Sequence, residues 1–115
     1  MAAKFVVQKS SNGKFFFSLK AGNGEVILAS QMYEQHASAL GGVASVKENA
    51  AKDERFERLA SKKGEPYFTL KSTNGQVIGK SEMYSSERAR DNGIASVMKN
   101  APAAVLDDQS GEAGK

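Results

Sequence analysis

The sequence predicts an α+β domain: one mainly antiparallel sheet built from two repeats that each open with three strands and a helix, with the two helices packed on one face and the opposite face partly open to solvent. Three observations carry this. The chain repeats itself at a spacing of 51 residues, each copy opens on short runs of period two divided by glycine-containing turns, and each then changes to a period of 3.6.

Residues 5–51 align with 56–102 without a gap, and 19 of those 47 positions are identical. The retained blocks are Asn23-Gly24 with Asn74-Gly75, Val26-Ile27 with Val77-Ile78, Met32-Tyr33 with Met83-Tyr84, and Ala44-Ser45-Val46 with Ala95-Ser96-Val97. Each half is below the size that usually sustains its own core, so the two copies should share one around a pseudo-two-fold axis. Because one chain carries both copies, a monomer is expected.

In the first copy 5–9 reads as a strand, Ser11-Asn12-Gly13 as a tight hairpin of positive-φ residues, and 14–20 as a second strand. Gly22-Asn23-Gly24 then turns the chain into a third strand, 25–29. The second copy repeats this as 56–60, 65–71 and 76–80 around Lys63-Gly64 and Asn74-Gly75. A helix follows over about 34–48 in the first copy, with Ser38/Ala89, Gly42/Gly93, Val43/Ile94 and Val46/Val97 sharing one face. Ser85 is the expected N-cap of the second helix, Asn49 and Asn100 are the expected terminators, and Pro102 cannot continue the hydrogen-bond ladder. A mid-helix glycine costs on the order of 1 kcal/mol against alanine. Its retention on both apolar faces implies close backbone packing. Ala103–Leu106 is the candidate final strand, so one domain spans 1–108, and 109–115, without apolar residues to bury beyond one alanine, is the expected disordered tail.

The 115 residues are 40% hydrophobic and 25% charged, the balance of a globular chain, with an expected radius of gyration of roughly 13 Å. The absence of cysteine excludes disulfides, thiolate metal sites and cysteine nucleophiles, and a single histidine, His36, removes the usual His-rich zinc sites. No cofactor and no metal is expected. No apolar run approaches the ~18 residues that cross a bilayer, and no signal-peptide core follows Met1, so the expectation is a cytoplasmic protein without a membrane partner. A net charge of +3 and a pI near 9.2 permit an anionic partner without demanding one.

The pattern Phe17-x-Leu19-Lys20-Ala21-x-Asn23-Gly24-x-x-Ile27-x-x-Ser30-x-x-Tyr33, followed by Gly42-Val43-x-Ser45-Val46-x-x-Asn49-Ala50, resembles the YegP-like family of small bacterial proteins of unknown function. The second copy matches it again from Phe68 to Tyr84 and from Gly93 to Ala101, so the resemblance covers roughly 5–107. It implies a β-β-β-α-β unit present as a tandem pair or a homodimer, one continuous sheet, and exchanged C-terminal strands. It implies no enzyme activity and no cofactor. The second copy departs at Ser72 and Thr73, where the first has Ala21 and Gly22, and at Pro66, opposite Phe15.

Acid–base catalysis needs two titratable groups held together, but no Asp or Glu occupies the same position in both copies. A hydrolase or transferase would have to use His36 with Ser30 or Ser45 and a nearby acid, without the G-x-S-x-G elbow that exposes a nucleophile. His36 reads as a solvated helix residue. Gly22-Asn23-Gly24 leads into a strand instead of a phosphate-binding helix N-terminus, so it reads as a hairpin. The candidate binding face is Phe16, Ser18 and Lys20 with Tyr67, Thr69 and Lys71. Strand alternation sets these opposite the core residues Phe17, Leu19, Phe68 and Leu70. Rings alternating with lysines on an open sheet suit weak binding of single-stranded nucleic acid, and the same residues also stabilise a sheet by cross-strand pairing. A protein partner is the other occupant such a face admits. Ser30/Ser81, Tyr33/Tyr84, Ser45/Ser96 and Asn49/Asn100 are the remaining polar positions kept in both copies, and capping, turns and buried hydroxyl bonds account for them.

Overall fold

The computed structural model describes residues 3–111. In chain order these form β1 (Lys4–Lys9), β2 (Phe15–Lys20), β3 (Val26–Ala29) and α1 (His36–Asn49), then β4 (Phe56–Ala60), β5 (Pro66–Lys71), β6 (Val77–Lys80), α2 (Glu87–Asn100) and β7 (Val105–Asp108). One seven-stranded sheet runs β4-β5-β6-β3-β2-β1-β7, antiparallel throughout except where β7 lies parallel to β1. The radius of gyration is 13.7 Å.

The hairpin turns differ from the expected form. Only the glycines have positive φ, Gly24 at 87° and Gly75 at 85°, and the asparagine before each does not. The Gly24 N–H donates to the Ala21 carbonyl at 2.9 Å and the Ala21 N–H to the Glu25 carbonyl at 2.9 Å. This is the three-residue loop in which a left-handed glycine closes the turn. Asn23 contributes through its side chain, whose Oδ1 accepts the Glu25 N–H at 3.0 Å. Ser86, not Ser85, caps α2, its hydroxyl accepting the Ala89 N–H at 3.0 Å. Asn49 and Asn100 are the last helical residues and bond back within the helix, each donating Nδ2 at 2.8 Å to the Ser45 or Ser96 carbonyl.

The helices cover one face of the sheet. The buried side of α1 is Ala39, Gly42, Val43, Val46 and Asn49, so the stripe begins at Ala39 and leaves Ser38 exposed. Phe5, Phe17 and Leu19 from the first copy and Phe56, Phe68 and Leu70 from the second join Val46 and Val97 in a single core cluster. Phe17 stacks on Tyr33 with ring centroids 6.2 Å apart, and Phe68 stacks on Tyr84 at 6.2 Å. These rings explain the mid-helix glycines. A Cβ at Gly42 would stand 2.6 Å from the Tyr33 hydroxyl and 2.8 Å from Phe17, and one at Gly93 would run into the Tyr84 hydroxyl.

The copies are interlocked by the chain that leaves each helix. From α1 it crosses to the far edge and becomes β4, where Arg58 donates to Asp53 at 3.2 Å and to Asp91 of α2 at 3.1 Å. The Asp53 bond, and then the two carboxylate charges, raise the Arg58 pKa. From α2 the chain turns through Ala101–Ala103 against α1 and runs as β7 beside β1 of the first copy. The final strand is thus exchanged, and it begins two residues later than Ala103. Pro66 opens β5 where the strand needs no N–H: its carbonyl accepts the Tyr84 N–H at 2.8 Å, whereas Phe15 exchanges two such bonds with Tyr33.

Gln109 and Ser110, expected in a disordered tail, are held. The Gln109 N–H donates to the Val7 carbonyl at 2.7 Å, and Ser110 donates its N–H at 3.0 Å and its hydroxyl at 2.6 Å to Asp108. Residues 112–115 of that expected tail lie outside the described residues.

Candidate functional site

Three places bring polar side chains together. The first is the helix-free sheet face, where the strand register sets Glu57, Thr69, Lys80, Ala29, Ser18, Val6 and Asp107 in one row across all seven strands. Phe16 and Tyr67 flank this row two residues away on β2 and β5, and Lys20 and Lys71 flank it on the other side of each strand. All six residues of the candidate face therefore share it, but not as equals. Ser18 and Thr69 are buried, at 7% and 6% exposure, Thr69 between the longer Glu57 and Lys80. Their side chains lie below the surface of this face. Thr69 Oγ1 has no hydrogen-bond partner among the described residues. Phe16, Tyr67, Lys20 and Lys71 are half-buried.

The lysines on this face divide into committed and uncommitted. Lys71 pairs with Glu57 at 3.0 Å, and Lys4 with Asp107 at 3.3 Å. Lys80 stands over the Tyr67 ring, 5.1 Å from its centroid. The corresponding residue of the first copy is Ala29, so Lys80 had no repeat signal to mark it. Its position beside Tyr67 follows from the Thr69–Lys80 pairing of β5 with β6.

The second place is a corner at the start of α1. His36 Nε2 lies 2.6 Å from Asp108 Oδ2, with the two side chains 24% and 11% exposed, and the imidazole meets the Phe15 ring edge-on at 5.5 Å. His36 is therefore not a solvated helix residue: it clamps β7 to α1. The Ser110 hydroxyl, and behind it the Ser110 N–H and His36, hold the Asp108 carboxyl below the usual range against the cost of its desolvation. Ser45 lies nine residues along α1, about 14 Å away at the helical rise, and its hydroxyl accepts from Asn49 Nδ2 at 3.3 Å. Ser30 accepts the Phe17 N–H at 2.9 Å. The His36, Ser30 and Ser45 set is not assembled into a nucleophilic centre.

The third place is a cleft of ≈ 490 Å³ between α1 of the first copy and the β5–β6 turn of the second. Tyr33, Ser45 and Asn49 line one wall, and Ser72, Thr73 and Gln76 the other. Burial raises the Tyr33 hydroxyl pKa, partly offset by its hydrogen bond to Gln31. The Tyr84 hydroxyl is raised by burial and then by the nearby Glu82 and Glu25 carboxylates, and α2 packs against β3 as α1 packs against β6. The repeat pointed to Tyr33, Ser45 and Asn49 singly, but their meeting with Ser72 and Thr73 needed the packing of one copy on the other. Among the described residues no group of three or more His, Cys, Asp or Glu is arranged to hold a metal ion.

Comparison with known proteins gives one consistent result. The domain of unknown function DUF1508 matches twice, over 10–57 and 61–108, at the same 51-residue offset as the internal repeat. The chain is 54% identical over 106 residues to a UPF0339 protein of Bordetella pertussis, covering 92% of this chain and 96% of that one. It is 51% identical over 104 residues to the UPF0339 protein YegP of Yersinia pestis, covering 90% and 93%. Among solved structures, the solution NMR structure of a UPF0339 protein from Shewanella oneidensis superposes with a TM-score of 0.91 at 46% identity, over 99% of this chain and 97% of that one. The solution NMR structure of yegP from E. coli, titled a protein of unknown function, also gives 0.91, at 45% identity over 96% of each chain.

Proposed function

The chain belongs to the DUF1508 family, with two units in tandem, and from that premise we propose a non-enzymatic binding module, monomeric and cytoplasmic, whose helix-free sheet face takes single-stranded nucleic acid. The observation that carries this reading is the pair of half-buried rings, Phe16 and Tyr67, set on one face with Lys20 and Lys80 free of ion pairs among the described residues. Rings of this kind stack bases, and ammonium groups meet phosphates. The pairing of Lys71 with Glu57 shifts the cationic role from Lys71 toward Lys80. The separation of His36 from Ser45 supports binding over catalysis, since a nucleophile must lie within hydrogen-bond reach of its base. The closure of the β3–β6 seam within one chain supports the monomer.

Few phosphates would be neutralised, so affinity should be micromolar or weaker and should fall as salt rises. The test is fluorescence anisotropy of a labelled oligouridine and an oligothymidine at ~50 mM salt, where electrostatic contacts are strongest. Binding that Lys20→Glu with Lys80→Glu abolishes, with the fold intact by circular dichroism, is the expected result. An absence of binding to either oligonucleotide at that salt would overturn the reading.

A further inference from the structure

The residues lining the cleft between α1 and the β5–β6 turn have equivalents 51 positions away in the other copy, and the two sets differ in a particular way. Tyr33, Gly42, Ser45 and Asn49 of the first wall match Tyr84, Gly93, Ser96 and Asn100, so this wall is kept in both copies. What differs is the chemistry facing the space. Gln31 and Gln76 stand where the other set has Glu82 and Glu25, and Ser72 and Thr73 stand where it has Ala21 and Gly22. Glu48 stands opposite Lys99. The cleft thus carries amides where the other copy has carboxylates and hydroxyls where it has small residues, and among the described residues of its lining the one charge is the Glu48 carboxylate.

We infer that this cleft binds a small polyhydroxylated ligand bearing an amino group, an amino sugar in chemical class. A volume of ≈ 490 Å³ falls within the size range of small-molecule sites. Hydroxyls and amides both donate and accept, which is what a ring of sugar hydroxyls requires. The Thr73 hydroxyl and the Gln76 side-chain amide have no protein partner among the described residues and are available to do so. The Ser45 oxygen accepts from Asn49, which leaves its proton to donate. Glu48 is the one charged group on the lining, so it favours an ammonium substituent and disfavours a phosphorylated or carboxylated sugar. The inference does not rest on the sheet-face reading, because the two sites use different residues and opposite charge.

The experiment is an amide-resolved NMR titration of the full chain with glucosamine, glucose and glucose 6-phosphate. Glucosamine should shift the amides of 45–49 and 72–76, glucose the same amides more weakly, and glucose 6-phosphate none. Glu48→Gln should lower glucosamine affinity about tenfold, to the level of glucose, and leave glucose unchanged. Ser72→Ala with Thr73→Gly, which installs the residues of the other copy in an exposed turn, should abolish both responses while distant amides stay in place. No shift with either unphosphorylated sugar, shifts confined to the Phe16 and Tyr67 face, or an undiminished glucosamine response in Glu48→Gln would each overturn the proposal.

Discussion

Leu28 Cγ and Cδ2 lie 2.6 Å from the point where a Cβ on Gly79 would stand, so these two residues fill one space at the β3–β6 seam. They are also equivalents, 51 residues apart in the repeat. Two identical copies would bring like residues together here, leucine on leucine or glycine on glycine. The difference between the copies lets a large side chain and a missing one share the seam. Gly79→Val should therefore cost about 1–3 kcal/mol by overpacking, and Leu28→Ala about 2–5 kcal/mol through the cavity it leaves. The exchanged pair, Leu28→Gly with Gly79→Leu, should be more stable than the sum of its single variants implies, as measured by urea unfolding.

The same seam sets what half of the chain can do. Residues 1–57 alone would leave β3 without β6 and could pair two copies only with Leu28 facing Leu28. That segment should not give a folded monomer by circular dichroism and light scattering, whereas the full chain, with one shared core, should unfold in a single thermal transition. A stable monomeric half would refute the shared core.

Asp108 gives the acid dependence of this fold a local source. Its pKa is lowered in the folded protein, first by the Ser110 hydroxyl and also by His36. A depressed carboxylate stabilises fully above its unfolded pKa, near 4, and loses that contribution as pH falls through the lower folded value. The stability difference between the parent and Asp108→Asn should accordingly be largest near neutrality and shrink below about pH 4, as followed by denaturant midpoints across pH. A chain ended at Asp108 loses the Gln109 ladder bond and both Ser110 bonds, and should lose about 1–3 kcal/mol, whereas an inert tail would cost nothing.

Thr69, on the helix-free face, is a buried hydroxyl without a partner among the described residues. An unmet buried polar group costs about 1–3 kcal/mol, and an isosteric methyl removes that cost. Thr69→Val should leave the protein as stable or more stable, by thermal midpoint. Oligonucleotide affinity should not change, because Thr69 sits beneath the rings and lysines that would make contact.

The chain's local patterns determined the repeat, the seven strands, both helices to within two residues, and the core residues Phe17, Leu19, Phe68, Leu70, Val46 and Val97. The repeat was legible by aligning the chain with itself at 51 residues, and the strands, helices and core positions depend on residues within about one turn or one hairpin of one another, where alternation, helical period and turn chemistry act directly. Tertiary structure decided the rest. His36 meets Asp108 across 72 positions only because β7 crosses to the edge beside β1. Thr69 is buried because β4 and β6 set the longer Glu57 and Lys80 beside it in register. The cleft pairs α1 of one copy with a turn of the other. No local pattern encodes those meetings, since their free energy comes from packing two copies around a shared core, and a residue's neighbours there are set by where the exchanged chain crosses.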